Sequence, residues 1–288
     1  MKKILRLELQ KAFASSGFIF SIIVGMGFVL SSAYQFYQFN YASFNIPLAL
    51  AMYDNGQMFE LIMEGKSLYT GWIGAEINSS VNTSFFFVLP LLAMLPCGFS
   101  LCGEMCSGYT KHIIPKCGRR NYILAKLTAA FVSGGCTATI LLAVSVLITA
   151  LYLPAVAPKV INSMYFPVFH GDIFSGLAYS MPLLFIVCYI GVDFMLCGMF
   201  ACLPVAAAYA VKKPVYAVLY SYIAVIMCSL LRNFFLYLGY VEVSPIYLMR
   251  AVPVANASKW WMVLVWLAIF ALVAIPFAVI KGVKYEIL

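Results

Sequence analysis

The stretch GEMCSGYTKHIIPKCGRRNYILAK, Gly103 to Lys126, is a polar island carrying five Lys/Arg and one Glu between two long apolar runs. If those runs are helices, the island is the turn between them. Glu104 ends the first helix and Gly108 loosens the chain. Pro115 is expected to break any continuing helix, because it lacks an N–H and its ring clashes with the preceding turn. Gly118 permits a turn, and RRNYILAK starts the next helix with Asn121 as a candidate cap. The expected product is a short helix lying across one face of the protein, pinned by basic residues. The plainer alternative is a basic loop that only fixes topology.

Composition settles what the flanking runs are. The chain has 288 residues, 64% of them hydrophobic and 10% charged. Soluble domains are about 45–50% apolar and about 25% charged. So large an apolar surplus cannot be hidden inside one water-facing domain, which leaves an all-α integral membrane protein. The runs are continuously apolar, whereas barrel strands alternate. Helices also satisfy every backbone hydrogen bond internally. Runs of about 20 apolar residues give six spans, near Gly17–Tyr34, Ser84–Cys102, Leu127–Leu153, Ala178–Val205, Val215–Leu238 and Trp260–Ile280. They form one membrane domain over residues 1–288, with no room for a soluble one. The first span is too long, and too weakly charged at its exit, to read as a cleaved signal peptide.

Lys and Arg orient the spans. With both termini cytoplasmic, thirteen lie inside: Lys2, Lys3, Arg6, Lys11, Lys111, Lys116, Arg119, Arg120, Lys126, Lys212, Lys213, Lys281 and Lys284. Four lie outside: Lys66, Lys159, Arg250 and Lys259. The net charge of +8 therefore reads as topology and lipid attraction and gives no reason to expect nucleic acid. All nine cysteines fall in spans or inside, so no outer disulfide is expected. Cys102 and Cys106 share a helix face, but a metal site needs more ligands.

Residues Met1–Ser15 read as an amphipathic interfacial helix. Met1, Leu5, Leu9, Ala12 and Phe13 make an apolar stripe, with Lys3, Arg6, Gln10 and Lys11 opposite. The first outer segment contains MFELIME, Met58 to Glu64, expected as a surface helix, and its bulk points to an outer gate or cap. Asn78, Asn82 and Asn256 begin glycosylation triplets of low specificity. No internal repeat and no GxxxG pair is evident.

Chemistry is sparse. No phosphate-cradling P-loop and no HExxH occurs. The two histidines, His112 and His170, lie in loops, so a His-dependent catalytic centre at membrane depth is excluded on this topology. The chain is not expected to be an enzyme. Two charges fall within spans, Asp193 and Arg232. Such residues either line a translocation path or are structural. A direct pair between them is not expected, since they lie toward different faces.

The island resembles the pattern of type-2 ABC exporter permeases. There, a Glu ends the second span. Next come a Gly-x-x-Lys/Arg segment, two aliphatics, Pro, a basic residue, and a Lys at the start of the third span. Glu104, Gly108, Thr110, Lys111, Ile113, Ile114, Pro115, Arg119 and Lys126 follow it. Cys117–Gly118–Arg119 departs from the family's frequent Ser-Arg. The amphipathic start resembles the family's elbow helix, and CLPVAAAYAVKKP, Cys202 to Pro214, its small-residue fourth span. The resemblance implies six spans with an interfacial N-terminal helix and a cytoplasmic coupling helix between spans two and three. It implies a bacterial plasma-membrane permease that moves substrate outward, a peptide or antimicrobial being the preferred cargo. A second permease and separate ATPase subunits would be its partners. ATP and Mg would bind in the ATPase, with no cofactor in this chain. Glu104, Gly108, Tyr109, Thr110, Lys111, His112, Ile113, Pro115, Lys116, Arg119 and Arg120 would form the ATPase-coupling surface. The competing expectations are a secondary transporter driven by an ion gradient and a non-transporting anchor or sensor.

Overall fold

The computed structural model describes residues 2–38, 66–77, 79–159, 166–211, 213–235, 241–253 and 256–284. Among them the chain is helical, with no strand beyond a single bridge between Val241 and Ala257. The helices are α1 Lys2–Phe13, α2 Ser16–Tyr37, α3 Leu68–Gly71, α4 Ser80–Gly98, α5 Ser100–Cys106 and α6 Tyr109–Cys117. There follow α7 Arg119–Tyr152, α8 Ser175–Ser180, α9 Pro182–Ala207, α10 Pro214–Phe235 and α11 Trp260–Lys284. Six helices are long and apolar enough to cross a membrane: Ser16–Tyr37, Ser80–Cys106, Arg119–Tyr152, Pro182–Ala207, Pro214–Asn233 and Trp260–Gly282. The second combines α4 and α5.

Boundaries differ from expectation where polar residues are helical. The third span was expected from Leu127 and its helix begins at Arg119, because Gly118 is the N-cap and Asn121 lies inside the helix. Asn121 is therefore not a cap. The fourth was expected from Ala178, but that residue belongs to α8. The chain breaks at Met181 (φ −139°, ψ 72°) before α9 opens on Pro182, as the residue before proline is pushed out of the α region. Pro115 does not end the island helix; it sits inside α6. The ends of α6 come instead from Gly108 (φ 73°) and Gly118 (φ 78°), both in conformations that favour glycine. Met58–Glu64 lies outside the described residues.

Lipid offers no hydrophobic drive to pair helices, so small residues and close packing do that work. The principal seam joins α7 to α9. A methyl on Gly134 would lie 2.9 Å from the Ala93 carbonyl oxygen of α4. One on Gly135 would lie 2.8 Å from that of Phe194, and one on Gly198 2.8 Å from that of Phe131. The backbones approach here because no side chain intervenes. The core continues through Phe85, Leu89, Leu92, Leu141, Leu196 and Phe200, all fully buried or nearly so.

The span formed by α4 and α5 carries prolines at 90 and 96. Pro96 cannot donate to the Leu92 carbonyl one turn back. Ser21 of α2 takes that place, its Oγ donating to Leu92 O at 2.8 Å. Ser15 Oγ donates to Pro96 O at 3.1 Å. The N-terminal end of α2 is thereby stitched to the bent end of the second span. This end of the bundle, which also carries α1, α6 and the start of α7, is called the basic end.

Loops cover the opposite end. Trp72, Ile73, Phe166, Val168, Ile173, Ile246, Leu248 and Met249 are buried there. Ala251 N–H donates to Gly74 O at 2.9 Å, and Glu242 N–H to Ala257 O at 2.9 Å. Asp172 accepts from the N–H of Phe169 at 2.8 Å and of Ser258 at 3.1 Å. Three separate loops are thus tied into one cap.

Candidate functional site

At the basic end three helices each present two residues, three or four positions apart, to one point. That spacing puts both members of a pair on one helix face. From α1 come Glu8 and Lys11, from α5 Ser100 and Glu104, and from α7 Tyr122 and Lys126. Lys126 Nζ lies 2.7 Å from Glu8 Oε2, 2.8 Å from Glu104 Oε2 and 2.6 Å from Ser100 Oγ. Lys11 Nζ lies 3.1 Å from Glu104 Oε1 and 3.5 Å from Glu8 Oε1. The Tyr122 hydroxyl donates to Glu104 Oε2. The Lys11 ammonium also sits 4.0 Å from the centre of the Tyr109 ring, on α6, where the ring face attracts a cation.

Two carboxylates and two ammoniums make a neutral cluster. Glu8 is 3% and Lys126 1% exposed. Burial of a pair is tolerated only when both charges are neutralised and hydrogen-bonded, and each is here. Burial opposes the charge on Lys11, but Tyr109 and the Glu104 and Glu8 carboxylates outweigh it and hold the ammonium above its ordinary value. The cluster therefore joins α1, α5 and α7 directly, and α6 through Tyr109.

Glu104, near the end of the second span, ties the start of the island to Lys11 and Lys126. Glu8, Ser100 and Tyr122 are the members that sequence reasoning missed. The apolar stripe of α1 divides: Leu5, Leu9 and Phe13 line an open surface groove, while Ala12 is buried, as Glu8 is.

The island residues divide by exposure. Thr110 is buried, while Tyr109 and Ile113 are half-buried, Ile113 packing against the core. His112 and Pro115 are exposed on α6, Arg120 is exposed at the start of α7, and Arg119 is half-buried. Lys111 and Lys116 occupy the third and eighth positions of α6. Gly108 forms its left-handed entry.

Asp193 and Arg232 are not brought together. Arg232 Nε lies 3.0 Å from Glu242 Oε2, and its guanidinium is 4.0 Å from the centre of the Tyr247 ring. Asp193 is completely buried and neither carboxylate oxygen has a hydrogen-bond partner among the described residues.

A second polar cluster lies beneath the cap. Arg250 donates to Glu76 O at 2.9 Å and to Thr83 Oγ1 at 3.3 Å. Ser32 Oγ donates to Glu76 Oε2 at 3.1 Å, and the Asn82 amide also donates to Glu76 O. Burial pushes the Glu76 carboxyl up to about 7, against the Ser32 bond and Arg250. Burial likewise holds the Arg250 guanidinium below its ordinary value.

No group of three or more His, Cys, Asp or Glu that could hold a metal occurs among the described residues. Compared with family models, curated proteins and solved structures, the chain matches none.

Proposed function

We propose that this protein is a membrane-transport permease. More particularly, it is the transmembrane subunit of a type-2 ATP-driven exporter in a bacterial plasma membrane, with both termini cytoplasmic. It moves its cargo outward when paired with a second permease and with separate ATPase subunits that bind ATP and Mg. A peptide or antimicrobial is the preferred cargo.

The observation that carries this reading is the buried cluster of Glu8, Lys11, Glu104 and Lys126. A helix whose task is to pass force from a soluble partner must be rigidly joined to the spans it moves. The cluster supplies such a joint, since it fastens the second and third spans to α1 and reaches α6 through Tyr109. His112, Pro115 and Arg120, exposed nearby, supply surface for an ATPase, with Lys111 and Lys116 on the same helix. The resemblance of the island to the family's coupling segment supports the same reading.

The test is purification of the native complex in mild detergent, with identification of co-purifying chains and assay of ATP hydrolysis in lipid. An ATPase should co-purify, the chain alone should hydrolyse no ATP, and Glu104→Ala should leave hydrolysis running while transport stops. Transport that persists without an ATPase but collapses with a proton gradient would identify a secondary transporter. An ATPase partner without any flux would identify an anchor or sensor.

A further inference from the structure

Asp193 is the one carboxylate in the described spans that the charged cluster at the basic end leaves out. It lies on α9 where that helix meets both α7 and α11. One turn earlier, Tyr189 approaches Ser258 just before α11, with 3.5 Å between the two hydroxyl oxygens. Two turns later, Phe200 packs edge-on against Phe270 of α11, ring centres 5.2 Å apart. The next residue, Phe194, belongs to the glycine seam with α7. No water-sized gap reaches the carboxylate from solvent, for Asp193 is 0% exposed.

Among the described residues no countercharge faces Asp193. The titratable groups acting with Asp193 are Tyr189 and Cys197, on its own helix. Lys126 of α7 is engaged by Glu8 and Glu104, and Arg232 of α10 by Glu242. From α4 the titratable group is Cys97, beside Ser133. From α8 it is Tyr179, bonded to the Val168 carbonyl. Lys281 of α11 is exposed near its basic end. An ionised carboxylate stripped of water, hydrogen bonds and countercharge is among the costliest groups to bury. A cation must complete the site. A metal ion needs several oxygen ligands, and among the described residues no group of three or more His, Cys, Asp or Glu gathers there to hold one. A cargo amine needs space that the seam does not leave. A proton needs neither.

We propose that Asp193 is an occluded proton-binding site, carrying a proton in this arrangement of the spans and shut off from water on both sides. The proposal holds whichever energy source drives the protein, since it concerns the chain alone. Wetting of the seam between α9 and its neighbours is then the event that frees the proton.

The test is infrared spectroscopy of the purified chain in lipid nanodiscs near neutral pH, unmodified against Asp193→Asn. The unmodified chain should show the C=O stretch of a protonated carboxyl in apolar surroundings, which Asp193→Asn lacks. In D2O that band should shift over hours and not within the mixing time. Should Asp193→Asn fold poorly, 13C labelling of aspartate carboxyls serves instead, since the chain holds three, Asp54, Asp172 and Asp193; a slowly exchanging labelled C=O band is then the expected result. Loss of ionised-carboxylate bands in Asp193→Asn, or only carboxylate bands from the labelled carboxyls, would overturn proton binding. An immediate shift in D2O would overturn occlusion.

Discussion

Lys126 is 1% exposed, and three oxygens stand within 2.8 Å of its Nζ. Lys126→Ala strands Glu8 and Glu104, and loss of one partner of a buried pair costs about 3–5 kcal/mol. Thermal unfolding in detergent should therefore show a large loss for Lys126→Ala and a small one for Lys11→Ala, whose side chain is 38% exposed. The double variant Glu8→Gln/Lys126→Gln, which removes one charge of each sign, should recover much of the loss. Equal losses for Lys126→Ala and Lys11→Ala would refute the asymmetry. Glu76 gives a pH dependence. Its carboxyl is raised from 4.5 to about 7, so the folded protein binds its proton more tightly than the unfolded chain does. Its contribution to stability is present below about 4.5 and falls away as pH rises through about 7. The unfolding temperature should drop by on the order of a few degrees over that window, and Glu76→Gln should flatten the drop. Sequence made these residues unequally visible. Glu104 and Lys126 stand at opposite ends of the island and read as helix-terminal charges. Glu8 stands alone between Leu7 and Leu9, and nothing local marks a partner 118 positions away.

At the scale of elements, the bend in the second span shows how a proline is accommodated in lipid. Pro96 frees the Leu92 carbonyl, and a buried unsatisfied carbonyl costs about 1–3 kcal/mol. Ser21→Ala should destabilise by about that much, and Pro96→Ala should make the same serine change nearly neutral by restoring the helical bond. A double-mutant cycle read by thermal unfolding measures the coupling, and additive effects would refute it. The six spans themselves were legible, since about 20 continuous apolar residues have few other fates. Their starts were less so. Hydropathy ends where polar residues begin, but the helix of α7 runs on through Arg119, Arg120 and Asn121. Pro115 looked like a terminator, yet α6 runs past it to Cys117. Glycine, with its freedom at positive φ, sets both limits of that helix.

For the whole molecule, the orientation proposed from the charge pattern has a direct test. Cys106 is exposed at the basic end, so in a background lacking the other cysteines it should resist an impermeant thiol reagent in intact cells and react in opened vesicles. Labelling in intact cells would invert the topology. The cap at the opposite end was foreseen only as bulk, because its ties join loops far apart in sequence, such as Ala251 to Gly74. The same separation in the charged cluster has a consequence for biosynthesis. Glu8 emerges from the ribosome 118 residues ahead of Lys126. At about 5–20 residues per second that is a delay on the order of ten seconds. Throughout it Glu8 has no Lys126 to meet, and only Lys11 is at hand. The N-terminal helix must therefore wait at the membrane surface, its carboxylate in water and its Leu5–Leu9–Phe13 face in lipid, and dock only when the third span arrives. A nascent chain halted before Lys126 should remain accessible to protease at its first dozen residues.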